Sequence, residues 1–127
     1  MAPKALVIDD EEDYRLLIAD ILKSGEIETR TAGDGLEGLT ALESYSPDVI
    51  LVDWMMPNLD GEGFCMALRR DGRFSQIPVV MLSLKKSSDE KRQAMAFGVT
   101  EFIGKPFQPE ELLSRVRAAL KRDALGA

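Results

Sequence analysis

Three carboxylates, a hydroxyl and a lysine stand where apolar segments of this chain end. Asp53 closes Val49-Ile50-Leu51-Val52, Asp9-Asp10 closes Leu6-Val7-Ile8, Ser83 follows the run from Ile77 to Leu82, and Lys105 lies just past Glu101-Phe102-Ile103. An unpaired ionised carboxylate in an apolar interior is costly, so each buried acid needs an open strand end, an ion pair or a neighbouring cation. Taken singly, each residue has a plainer reading: Asp53 as a turn cap, Ser83 as a helix cap, Lys105 as a surface lysine and Phe102 as core. Their common place at segment ends is the stronger signal, because ligands bind outside the carboxyl ends of the strands in open α/β sheets.

The chemistry open to this set is narrow. The chain has no histidine, which removes Ser-His and Cys-His nucleophiles and histidine metal sites together. Carboxylates about 4 Å apart repel by roughly 4 kcal/mol per pair at an effective dielectric of ~20. Lys105 supplies one compensating charge, and a divalent cation would supply two. Oxygen ligands in a small, hydrated site favour Mg²⁺, with Mn²⁺ as a substitute.

The elements that must position these groups alternate along the chain. Lys4 to Ile8 reads as a strand, and Tyr14, Leu17, Ile18, Ile21 and Leu22 then recur at helical spacing until Ser24-Gly25. Glu11 to Asp13 suit the first turn of that helix, where the dipole favours acids. Glu26 to Ala32 predicts an outer strand, followed by the Gly33-Asp34-Gly35 turn and a helix lined by Leu36, Leu39 and Leu42. After Asp53, Met56-Pro57-Asn58-Leu59-Asp60-Gly61 is turn chemistry, and Phe64, Ala67 and Leu68 mark a third helix. Lys85 to Gln93 holds no apolar residue, so the fourth helix is expected to pack only from Ala94 to Phe97 and to be mobile before that. Gly98 ends it. The last helix opens at Pro109-Glu110-Glu111 and buries Leu112, Leu113, Val116 and Leu120. Five strands alternating with five helices indicate an α/β fold with a doubly wound parallel sheet, (βα)5.

Length and composition set the frame. At 127 residues the chain predicts one domain, 1–127, and its 45% hydrophobic and 30% charged residues are those of an ordinary globular protein. No apolar run reaches the ~20 residues of a membrane span, and no signal peptide is visible at the start, so a cytoplasmic location is expected. Cys65 is the only cysteine and reads as core. A net charge of −6 argues against direct nucleic-acid binding and against anionic membranes.

With these motifs in place, the chain resembles the receiver domain of bacterial two-component response regulators over about residues 4 to 121. The matching features are Asp9-Asp10, Asp53 with Met56-Pro57 and Asp60-Gly61, Ser83, and Phe102 with Lys105-Pro106-Phe107. The resemblance implies a flavodoxin-like strand order 2-1-3-4-5 and a signalling phosphoacceptor rather than an enzyme. It implies that Asp53 accepts a phosphoryl group from the phosphohistidine of a histidine kinase or histidine phosphotransfer protein. Asp10, Asp53 and the main-chain carbonyl of Met55 would hold Mg²⁺, with Asp9 acting through water. Ser83 and Lys105 would bind the phosphoryl oxygens, and Phe102 would be the switch aromatic. The surface of the fourth helix, fifth strand and fifth helix would then engage a downstream protein target. After the switch hydroxyl the family usually has Ala or Gly, and Leu84 departs from this: it either narrows the path into the cleft or turns outward to pack on the fourth helix. Two alternatives remain: a receiver excised from a larger regulator with DNA-binding or enzymatic output, and an aspartyl-phosphate phosphatase. The phosphatase class resembles Asp-x-Asp, and Met55 stands where its second Asp would be.

Overall fold

The apolar runs lie side by side as parallel strands. The computed structural model describes residues 2–126, with side chains described for residues 2–121. Its single sheet contains β1 Lys4–Ile8, β2 Glu28–Ala32, β3 Val49–Asp53, β4 Val79–Ser83 and β5 Glu101–Gly104, in the expected order β2-β1-β3-β4-β5. Crossovers are supplied by α1 Glu12–Ser24, α2 Gly35–Ala41, α3 Gly61–Arg70, α4 Ser88–Ala96 and α5 Pro109–Gly126. Every residue of β3 and β4 is buried, which explains why these two runs carry no polar residue before their last position.

Strand alternation divides the core into two layers. Ala5, Val7, Leu51 and Leu82 face the layer built with α1 and α5, whereas Leu6, Ile8, Val52 and Met81 face the layer built with α3 and α4. Each buried aliphatic side chain contributes about 1.5–3 kcal/mol relative to exposure, so the register is strongly held.

Several expectations are corrected by tertiary packing. Leu17 is 48% exposed and Leu36 53% exposed, although helical spacing placed both on core faces. The buried stripe of α1 is Ile18, Ile21 and Leu22, and α2 approaches the sheet through Gly35 and Gly38 instead. Glu26 adopts φ +63° and belongs to a turn, so β2 starts at Glu28. Pro78 has no N–H to give, and β4 therefore begins at Val79, after the Pro78 carbonyl has accepted from Ile50 N.

α4 is the most lightly anchored helix. It starts at Ser88 rather than Lys85, behind a capping box in which Ser87 and Glu90 satisfy one another's backbone groups. Only Ala94 is buried, Met95 and Ala96 are exposed, and Phe97 is half-buried. Its far end is held differently. Gly98 takes φ +95°, a conformation that suits glycine, and its carbonyl accepts a 2.6 Å hydrogen bond from Arg69. The same guanidinium donates to the carbonyls of Ser75 (3.0 Å) and Ile77 (2.7 Å), which pins the end of α4 to the loop before β4.

Hydrogen exchange should report this contrast. Amides of Lys91 to Ala94 are expected to exchange at least about tenfold faster than those of Phe64 to Leu68 in α3, because one buried alanine opposes their local opening. Equal protection in the two helices would show that α4 is anchored by more than Ala94.

Candidate phosphoacceptor and metal site

The strand ends do converge. Parallel pairing sets Ile8 beside Val52, Asp53 beside Leu82 and Ser83 beside Gly104, which brings four loops to one sheet edge. The loop after β3 is folded tightly back on the site. Gly61 donates its N–H to the Trp54 carbonyl at 2.8 Å, and a Cβ at Gly61 would lie 2.6 Å from the Asp53 carbonyl oxygen, so no larger residue fits there. Asp60 caps α3 through Gly63 N, and Asp34 caps α2 while accepting from Asn58 at 2.8 Å.

Lys105 is the centre of the cluster. Its ammonium, 2% exposed, lies 2.9 Å from Asp9 Oδ2 and 3.3 Å from Asp53 Oδ1. Asp9 is buried as well and its second oxygen accepts from Glu11 N at 2.9 Å, so the strand-end acid also fixes the entry into α1. Asp10 is exposed, and it makes no ion pair with the described residues. Carboxylate oxygens of Asp9, Asp10 and Asp53 lie within 4.8 Å of one another.

The charge balance is negative. Burial pushes the Asp53 carboxyl up from 3.8 to about 6; Lys105 opposes this, and the charges of Asp9 and Asp10 add to it. Burial acts against the Lys105 charge, but its hydrogen bond to Asp9 and the proximity of Asp53 raise its pKa above the usual lysine value. Three carboxylates around one ammonium leave an oxygen-only donor set with excess negative charge, which fits a hard divalent cation such as Mg²⁺.

The remaining expected residues are placed around this centre. Ser83 is fully buried; its hydroxyl accepts from Lys85 N at 2.9 Å and its carbonyl accepts from Lys105 N at 2.8 Å. Met55 lies two residues beyond β3 with its side chain 55% exposed. Leu84 is 70% exposed, too open to be a packing residue on α4. Phe102 is half-buried and packs edge-on to Trp54, with ring centroids 6.3 Å apart. Trp54 also meets Phe97 edge-on at 5.6 Å, and Lys85 Nζ lies 5.4 Å from its ring centroid.

Two contacts were not visible in the sequence. Lys86 Nζ donates to the Lys105 carbonyl at 2.9 Å, and the Tyr14 ring lies 3.9 Å from Lys105 Nζ. Periodicity counted Tyr14 only as a core-facing residue. The one available signal is an aromatic residue in the first turn of the helix that follows the acid pair.

The chain matches the family described as response regulator receiver domain over residues 5–117. It is 36% identical to the DNA-binding response regulator MtrA of Mycobacterium tuberculosis over 123 residues, covering 97% of this chain and 53% of that protein. It is 38% identical to the DNA-binding dual master transcriptional regulator RpaA of Synechocystis over 120 residues, covering 94% of this chain and 50% of that one. The chain thus spans about half the length of these curated relatives. Among solved structures, the receiver domain of the Francisella response regulator 1452 superposes with a TM-score of 0.88 at 36% identity, covering 94% of this chain and 98% of that one. The Vibrio cholerae chemotaxis protein CheY4 gives 0.88 at 32% identity, covering 94% and 99%.

The crowded acids generate a stability prediction. A carboxyl whose folded pKa is about 6, above its ordinary 3.8, holds its proton more tightly in the folded state. Its ionisation therefore removes stability as pH rises between those two values, and the loss is complete above the upper one. In metal-free buffer Asp53→Asn should be more stable than wild type near neutral pH, by on the order of 1–3 kcal/mol, with the advantage shrinking as pH falls toward 4. Thermal melts across this range test it, and a variant that melts below wild type at neutral pH would contradict the charge balance.

Proposed function

We propose a function on one premise: the chain belongs to the response regulator receiver domain family. As a receiver domain it is a signalling module of two-component systems, and that role implies a histidine kinase or histidine phosphotransfer partner. The finer reading is that Asp53 is the phosphoacceptor. One observation carries it: a buried lysine shared between Asp9 and Asp53 at the open end of a fully buried strand, with Asp10 on the solvent side.

In this reading an oxygen of Asp53 attacks the phosphorus of a partner phosphohistidine. The new O–P bond forms as the N–P bond breaks, and the imidazole nitrogen keeps the electron pair. Asp10, Asp53 and the Met55 carbonyl would hold Mg²⁺, with Asp9 contributing through water. The cation supplies charge neutralisation for the phosphoryl oxygens when bound. Lys105 would neutralise phosphoryl oxygens on Asp53 while remaining paired to Asp9. Asp9 thereby positions Lys105, and Ser83 provides a hydroxyl to a phosphoryl oxygen once the loop after β4 moves inward.

The placement of the aromatics supports a switch. Withdrawing the Ser83 hydroxyl from Lys85 N shifts the loop that carries Lys85 over Trp54, and Phe102 packs on that same ring. Repacking there changes the α4-β5-α5 surface offered to a downstream protein. A second reading is favoured by the coverage of the relatives: the chain corresponds to the receiver half of a longer regulator, whose remainder would carry a DNA-binding output.

Phosphotransfer labelling and fluorescence test both levels. Label from a phosphorylated histidine kinase should require Mg²⁺ and be absent in Asp53→Asn. The emission of Trp54, the only tryptophan, should respond to Mg²⁺ and again to beryllofluoride. Ser83→Ala should keep the label but lose most of the second response. Label that survives Asp53→Asn refutes the phosphoacceptor, and an undiminished second response in Ser83→Ala refutes the switch.

A further inference from the structure

The Lys105 ammonium has three N–H bonds and two carboxylate neighbours. Its third side is covered by the face of Tyr14, whose centroid is 3.9 Å from Nζ. Four other cations lie over rings at 4.6–5.9 Å, and all four belong to exposed side chains. The Tyr14 contact alone among these five involves a buried ammonium, where the attraction of a cation to a ring face is least weakened by water.

We propose that Tyr14 is a positioning residue for phosphoryl transfer, holding the Lys105 ammonium against Asp9 and Asp53 with its ring face and separating it from the groove beside α1. This rests on the reading of Asp53 as phosphoacceptor. Three features of the structure support it.

The ring is fixed from both ends. Tyr14 is the third residue of α1, and the start of that helix is tied to Asp9 by Glu11 N and by Arg15, whose Nη1 donates to the Asp9 carbonyl at 2.8 Å. On the other side the ring meets Phe107 at 6.2 Å between centroids, two residues after the lysine it covers.

The ring is also a wall. A groove of about 210 Å³ is lined by Asp13, Tyr14, Leu17, Pro106 and Phe107, and Lys105 is not among its lining residues. A smaller or more mobile side chain at position 14 would let water from this groove reach the ammonium and weaken its hold on phosphoryl oxygens.

The hydroxyl is not the working part. Tyr14 makes no hydrogen bond through its hydroxyl to the described residues, so phenylalanine should serve and an aliphatic residue should not. A ring face attracts a cation without directional lone pairs. It therefore allows Lys105 to turn from Asp53 Oδ1 toward an arriving phosphoryl oxygen without breaking a third hydrogen bond.

The test combines Tyr14→Phe and Tyr14→Leu with Lys105→Met. The readouts are the rate of labelling by acetyl phosphate, Mg²⁺ affinity from Trp54 emission, and near-ultraviolet tyrosine absorbance. Tyr14→Leu should slow labelling by about ten- to thirtyfold, the size of one desolvated cation–ring contact, while Mg²⁺ affinity stays within about twofold. Tyr14→Phe should restore the wild-type rate, and Tyr14→Leu should have no further effect once Lys105 is methionine. Lys105→Met should shift the tyrosine absorbance, and that shift should vanish in a Tyr14→Phe background, a result that does not depend on whether Tyr14→Leu folds. The proposal is overturned by a wild-type rate in Tyr14→Leu, by the same loss in a Lys105→Met background, by an equal loss in Tyr14→Phe, or by an unshifted tyrosine spectrum. A wild-type chain that takes no label while the tyrosine shift is present would overturn the phosphoacceptor reading, and with it the role given to Tyr14, but not the contact.

Discussion

The ion pair between Lys105 and two buried carboxylates is the constraint on which the site depends. Removing the lysine would leave two buried carboxylates uncompensated, at a cost of about 3–5 kcal/mol, whereas removing one of the two acids leaves the ammonium paired with the other. The value of the cluster is geometric. Asp9 comes from the end of β1, Asp53 from the end of β3 and Lys105 from just past β5, so one ammonium cross-links three loops at one edge of the sheet. The Lys86 contact to the Lys105 carbonyl adds the loop after β4 to that link.

Strand alternation separates chemistry from response. Asp9, Asp53 and Lys105 share the parity of Val7, Leu51 and Ile103, which face the α1 and α5 layer, and Tyr14 and Phe107 pack against that same layer. Ser83 shares the parity of Met81, while Trp54 and Phe102 pack in the other layer with α3 and α4. The charged cluster thus lies on one side of the sheet and the Trp54–Phe102 aromatic pair on the other. Asp53, the proposed phosphoacceptor, lies at the open edge between the two.

Much of this was legible from the chain itself. Apolar runs that stop at a lone carboxylate, hydroxyl or lysine locate strand ends, and a parallel sheet brings Asp9, Asp53, Ser83 and Lys105 to one edge. The failures have physical causes. Periodicity names a helical stripe but not its rotation against the sheet, so it points Leu17 and Leu36 inward although both are about half exposed. It also could not say which member of Asp9-Asp10 is buried, because that depends on the loop that turns into α1. The Arg69–Gly98 and Tyr14–Lys105 contacts join elements distant in sequence, which periodicity does not report.

The light anchoring of α4 has a consequence for signal quality. In the proposed switch, a helix held by one buried alanine and pinned at a single end would visit alternative packings without a stimulus, and those visits would set the background against which activation is read. Background and gain are then tuned by different residues. Surface substitutions along Lys91 to Gln93 would shift the resting population, whereas the charges at the sheet edge would set how far one chemical event displaces it. A lineage could therefore adjust its threshold for response without touching the residues that receive the message.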